Sequence, residues 1–340
     1  MKSRLLSLGL STLLLISAAR AAESAPPART PADGPFLPAP ALPGGLVLAL
    51  YPPDSPHLRR DRVHEAEHYN STATTPVAKV QSTLNIHNPS IEVHLASGRT
   101  AHGAAVIIAP GGGHKILWVG PEGYDLVPFF AHYGISVIVL RNRLRVDGYD
   151  AKVEAVDDAF QAIRLVRANA AKWKLDPAKI GILGFSAGAE LAAPAALFYE
   201  EFSRQNSLPS DPLAAVSARP DYVGLIYPGP TPFAKGAAPA IPRDVPPSFI
   251  ASAGSGDRGH ALWATDYFTA MLQRGVPNLE MHIYGRGGHG GSIKYRDGIP
   301  FGTWQDRYLD WFRDLGFLGQ PGAQTKAAAE VAAFAAAAKN

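Results

Sequence analysis

Gly184-Phe185-Ser186-Ala187-Gly188 decides the reading of this chain. The residues before it, Lys179-Ile180-Gly181-Ile182-Leu183, form a short apolar run of the kind that makes a buried strand. Those after it, from Ala187 through Glu190-Leu191-Ala192-Ala193, start a helix. A serine on a sharp turn between strand and helix projects its hydroxyl clear of the sheet. The glycines two positions to either side omit the Cβ atoms that would collide there, and the dipole of the following helix favours negative charge beside the serine. With both flanks in place, Ser186 reads as a nucleophile rather than as a structural serine in a glycine-rich turn.

Working outward, residues 104–109 are continuously apolar, as for a strand buried on both faces, and they empty into Pro110-Gly111-Gly112-Gly113-His114. Glycines leave backbone N–H groups unshielded. Ester hydrolysis through a tetrahedral intermediate needs about two such donors at the oxyanion, each worth on the order of 2.7–4 kcal/mol in comparable enzymes. The N–H groups of Gly112, Gly113 and Ala187 suit that task. A phosphate-binding loop would end in Gly-Lys-Ser/Thr, which this one does not.

An acid and then a histidine should follow the serine. Residues 247–253 read as a late strand that opens into Gly254-Ser255-Gly256-Asp257-Arg258. Residues 279–284 read as the next strand, opening into Gly285-Arg286-Gly287-Gly288-His289-Gly290. Both loops leave the C-terminal edge of a parallel sheet, on the side of Ser186. Asp257 is therefore the expected acid and His289 the expected base. Asp266 falls within a helix predicted over 261–274 and reads as part of a solvated face. His260 is close enough to compete for a site role but has no position in that order.

These stretches carry a family resemblance. Together with residues 48–52, 85–94, Glu122-Gly123, 139–144, 217–221, Tyr227-Pro228 and Gly256-Asp257-Arg258, the chain resembles the α/β-hydrolase superfamily. Within it the likeness is to the acetylxylan-esterase-like group of carbohydrate acetyl esterases, which is related to hormone-sensitive-lipase-type esterases. The resemblance runs from about Leu46 to Leu318. It implies cofactor-free hydrolysis of short acyl esters, typically acetyl groups on plant cell-wall sugars. A carboxylesterase or lipase acting on small lipid or aryl esters is the chief rival; a catalytically silent carbohydrate-binding protein of the same fold is another. The group usually carries Gly-His where this chain has Ala189-Glu190, and Lys-Tyr-Arg where it has Arg141-Asn142-Arg143. Neither departure removes a catalytic atom. Glu190 lies in the first turn of its helix, where the dipole favours a carboxylate; a contact to substrate is the alternative.

Between the motifs, apolar runs at 135–140 and 222–227 alternate with a helix predicted over 151–171. The pattern specifies an α/β fold, a mostly parallel sheet with helices on both faces. Pro194 should kink or end the helix that follows Ser186. Residues 200–219 read as a loop or a small cap over the site. Candidate substrate contacts are His114, Trp118, Glu122 and Trp263, aromatics beside a site being able to stack on sugar rings.

The 340 residues, 46% of them hydrophobic, suffice for one large core. Residues 1–21 combine a basic start, an apolar run and a small-x-small ending, the pattern of a secretory signal peptide. Secretion or a periplasmic location is the expectation. Residues 22–45 read as a Pro/Ala-rich linker or arm, 46–319 as the catalytic domain and 320–340 as a weakly attached Ala-rich tail. A net charge of +3 with scattered basic residues gives no nucleic-acid stripe, and no apolar run is long enough for stable membrane insertion. There is no cysteine to form disulfides, and no His-Glu-x-x-His pattern calls for a metal. Oligomeric state is not legible.

Overall fold

The computed structural model describes residues 34–72, 79–98, 101–206, 211–234, 236–290, 293, 299–319 and 324–337. The expected signal peptide lies outside the described residues, as does the first half of the arm.

Ten strands and eight α-helices are described: β1 (Leu46–Ala49), β2 (His68–Thr72), β3 (Lys79–Leu84), β4 (Ser90–His94), β5 (Ala105–Ala109), α1 (Val127–His132), β6 (Ser136–Arg141), α2 (Glu154–Ala168), α3 (Ala170–Trp173), β7 (Ile180–Phe185), α4 (Ala189–Ala195), α5 (Tyr199–Gln205), β8 (Val223–Ile226), β9 (Ser248–Ser255), α6 (Arg258–Arg274), β10 (Glu280–Arg286), α7 (Trp304–Asp314) and α8 (Lys326–Ala337). Eight of the strands make one sheet in the order β1-β4-β6-β5-β7-β8-β9-β10, and β2 and β3 pair as a separate hairpin. From β6 to β10 every pairing is parallel, whereas β4 runs antiparallel to both of its neighbours.

The parallel strands are buried because both faces are covered. β5, β6 and β7 have no exposed residue, which is why they read as unbroken apolar runs. Side chains alternate across the sheet: Ile107, Ile138, Ile182 and Ile250 enter the core under α2, α4 and α6, while Val106, Ile108, Leu183 and Phe249 enter the one under α1 and α7. The second core is aromatic. Trp304, Tyr308, Trp311 and Phe312 lie along one face of α7 and meet Tyr222 and Phe249 of the sheet.

Three sequence expectations shift. The helix expected over 151–171 is broken at Asn169, whose side-chain amide donates to the Leu165 carbonyl at 2.9 Å, so α2 and α3 are separate. Residues 199–205 form α5, and this stretch and 211–216 pack on α2: Phe202 stacks on Phe160 at 4.6 Å, and Arg164 donates to the carbonyls of Asn206, Ala214 and Val216. The described part thus buttresses α2, where a loop or a small cap over the site was expected. The arm is docked from residue 34 onward, with Phe36 and Pro38 buried and Asn88 donating to the Phe36 carbonyl at 2.8 Å. α4 ends one residue after Pro194, which has no N–H to give the carbonyl four residues back, so the helix stops where a kink or break was expected.

Buried charge pins the junction of β4, β6 and the arm. Glu92 bonds Arg141 and accepts from the Tyr124 hydroxyl and the Ala41 and Leu42 N–H groups. Arg143 forks onto Asp158 of α2 at 2.7 Å, with the Tyr51 hydroxyl on the same carboxylate.

Candidate active site

β7 delivers Ser186 at the sheet's C-terminal edge. Its φ is +50°, a conformation side chains rarely adopt, and a 3-10 turn over Ser186–Gly188 leads straight into α4. The turn tolerates only glycine at its flank: a Cβ on Gly188 would stand 1.9 Å from the Ala109 carbonyl oxygen. That close approach brings the end of β5, and with it the glycine loop, against the serine.

β9 and β10 deliver the partners. Ser186 Oγ lies 2.8 Å from His289 Nε2, and His289 Nδ1 lies 2.8 Å from Asp257 Oδ2. The Asp257 side chain is 5% exposed and that of His289 38%, so the chain of bonds runs from a buried carboxylate to an accessible imidazole and hydroxyl. Asp266 is an exposed residue of α6. The three side chains singled out from loops after three different strands thus meet in one hydrogen-bonded line, with the geometry of a nucleophile, a base and an orienting acid.

The glycine loop is built to keep its amides in place. Gly112 has φ +130° and leaves no room for a Cβ, which would meet the Ile116 carbonyl oxygen at 1.9 Å. Among the described residues, no acceptor is bonded to the N–H of Gly112 or Gly113. Gly111 donates its N–H to Glu122 Oε2 at 2.7 Å, and the loop's return is laced to β3, Thr83 and Leu117 exchanging two backbone bonds.

Glu122, expected as a substrate contact, is placed otherwise. It is buried, with one oxygen on Gly111 N–H and the other accepting from the Tyr227 hydroxyl at 2.7 Å, so it braces the glycine loop from behind. Burial pushes its pKa above the usual carboxylate value, against the pull of those two donors. The Tyr227 ring meets His289 at 4.9 Å, completing a link from loop to imidazole that no short motif discloses. His114, with φ +58°, is also buried, its Nε2 3.4 Å from Glu190 Oε2. Glu190 lies against Gly229, where a Cβ would come within 2.1 Å of its carboxylate. Trp118 is 43% exposed, and Trp263 is half-buried with its ring edge-on to His260.

His260 is the residue the motif order passes over. It sits three residues into the turn after Asp257, with Nδ1 2.5 Å from Asp257 Oδ1. Asp257, His260 and His289 can each offer a ligand atom within 4.8 Å of the others. The separations of 2.5 and 2.8 Å are those of hydrogen bonds, shorter than the roughly 3.4 Å between two ligands of a tetrahedral zinc with bonds of about 2.1 Å.

The BD-FAE family model matches residues 93–219. The chain is 28% identical over 227 residues to an acetylxylan esterase of Xylanibacter ruminicola, an alignment covering 63% of this chain and 45% of that protein. Among solved structures it superposes on the acetyl ester-xyloside bifunctional hydrolase of Caldicellulosiruptor lactoaceticus with a TM-score of 0.58 and 26% identity, over 68% of this chain and 90% of the other. Esterase 2 of Thermogutta terrifontis, at 18% identity and a TM-score of 0.59, shares the fold over 83% of this chain and 98% of its own. The chain has the α/β-hydrolase fold. It spans less than half the length of the curated relatives it matches. The family match begins in β4 and ends just before β8, so it takes in the glycine loop and Ser186 but neither Asp257 nor His289.

Proposed function

We propose that this α/β-hydrolase is a secreted serine esterase that removes short acyl groups, chiefly acetyl, from plant cell-wall carbohydrate. The observation that carries the reading is the unbroken line Ser186–His289–Asp257, with 2.8 Å at each step. His289 Nε2 accepts the Ser186 proton as Oγ attacks the ester carbonyl. Asp257 accepts the Nδ1–H and stabilises the imidazolium. The amides of Gly112, Gly113 and Ala187 receive the oxyanion. His289 then gives its proton to the departing sugar oxygen. Water, deprotonated by the same imidazole, frees the acid from Ser186.

The acetyl and carbohydrate parts of the reading are supported by the relatives, one named as an acetylxylan esterase and one as an acetyl ester-xyloside hydrolase. Exposed Trp118 beside the glycine loop offers a face for a sugar ring. Ser186→Ala should fold as wild type and lose ester hydrolysis by several orders of magnitude. A panel of acetylated xylan, acetylated monosaccharides and aryl esters of rising chain length tests the substrate. Acetyl esters should be cleaved much faster than octanoyl esters. Preference for long chains would favour a lipase, and near-normal turnover by Ser186→Ala would remove the nucleophile.

A further inference from the structure

Asp257 holds two imidazoles on one carboxylate. Oδ2 takes His289 Nδ1 at 2.8 Å and Oδ1 takes His260 Nδ1 at 2.5 Å. The two rings lie nearly face to face, centroids 3.9 Å apart and planes 29° from parallel. Trp263, three residues further along α6, meets the His260 ring edge-on at 5.1 Å. The arrangement follows from local structure: α6 begins directly after Asp257, and a residue three positions on projects back over the preceding turn. Ser186 is bonded to His289 and not to His260, so the second ring is not an alternative base.

We propose that His260 is a positioning residue for His289: it fixes the Asp257 carboxylate, backs the plane of the His289 ring, and limits how basic that ring becomes. The proposal rests on the reading of Ser186, His289 and Asp257 as a working triad. Two imidazolium ions cannot stack at such a distance without strong repulsion, so the ring that takes the serine proton needs a neutral neighbour. His260 is that neighbour. Burial lowers its pKa and the adjacent His289 lowers it further, against the attraction of Asp257 and, more weakly, Glu190. Held neutral, it donates Nδ1–H to Asp257 and draws off part of the carboxylate's charge, which would otherwise act on His289 alone. The groups facing His289 are Ser186, Asp257, His260 and the Tyr227 ring, with the Glu122 carboxyl at longer range.

Two substitutions separate the parts. His260→Phe keeps a flat ring without a donor, and His260→Asn keeps an N–H near the place of Nδ1 without the ring. For each, kcat and KM on an acetyl ester are measured from pH 5 to 9, and the His289 imidazole is titrated by NMR in the full chain without substrate. For His260→Phe, kcat should fall about tenfold with KM nearly unchanged. The acid limb of its profile and the His289 titration should both move up by about half to one pH unit, because Asp257 has lost a donor. His260→Asn should titrate at His289 as wild type and lose less kcat. If the phenylalanine variant does not fold, His260→Ala, which also lacks the donor, should show the same upward titration shift. An unshifted His289 in every donor-free variant would overturn the proposal, as would variants that change KM alone. Wild type that cleaves no ester would refute the esterase reading, while the NMR comparison still decides the role of His260.

Discussion

With two imidazoles on its carboxylate, Asp257 is the residue whose replacement should cost most for least change in shape. Asp257→Asn puts an amide where His289 needs a pure acceptor and favours the wrong tautomer, so turnover should fall on the order of 10⁴-fold, as for the equivalent change in serine proteases. Asp266→Asn, on the exposed side of α6, should leave kcat within about twofold, and a paired kinetic and circular-dichroism comparison checks both. Glu122→Gln tests the brace behind the glycine loop. The Gly111 N–H and the Tyr227 hydroxyl each need an acceptor, and an amide supplies one oxygen, leaving a buried donor that costs about 1–3 kcal/mol. A lower melting temperature together with a loss in kcat exceeding any change in KM is the expected outcome. Wild-type kinetics in Glu122→Gln would detach the brace from catalysis. Ser186, Asp257 and His289 were legible because each follows an apolar strand in a glycine-bearing loop. The roles of Glu122, expected as a substrate contact, and of His260 were not, since one acts through a tertiary contact to Tyr227 and the other through helical register from Asp257.

At the level of elements, β5 to β9 read cleanly because they are almost wholly buried, β10 read from its sequence although half-buried to exposed, and the ends of all six lie within one or two residues of expectation. β4 did not read as a strand because Glu92 and His94 interrupt its apolar pattern, and a buried Glu92 is tolerable because Arg141 on the paired strand, the Tyr124 hydroxyl and two arm N–H groups satisfy its carboxylate. α7 escaped the same criterion, as Asp306, Arg307, Asp310 and Arg313 separate its aromatic residues. α2 carries a different signature. Burial, reinforced by adjacent Asp158, raises the Asp157 carboxyl from an ordinary 3.8 to about 7. The folded chain therefore holds a proton there between about pH 4 and 7 that the unfolded chain has released, and stability declines as pH rises across that window. Asp157→Asn removes the decline. Melting curves at pH 4, 6 and 8 should show wild type and variant together at the lowest pH, with the variant the more stable by an increasing margin above it. A variant less stable at pH 8 would show that the Asp157 charge is needed.

For the whole molecule, the sheet separates two cores, and the candidate site lies on neither: it collects loops at one edge of the sheet. α8 adds to neither core. None of its residues is buried, with Val331 and Phe334 exposed at 70% and 79%, so deletion from residue 324 onward should leave kcat unchanged and the melting temperature within about 2 °C. A marked loss of stability on that deletion would mean the tail is held by contacts beyond those described. The fold also sets a timetable for biosynthesis. Ser186 sits in the middle of the sheet, but its imidazole lies 103 residues later, after β10, the last of the described strands in chain order. A nascent or interrupted chain can carry a nearly complete sheet and a finished serine turn and still have no base to draw the proton from Oγ. On the proposed reading, ester cleavage waits until β10 has joined the edge.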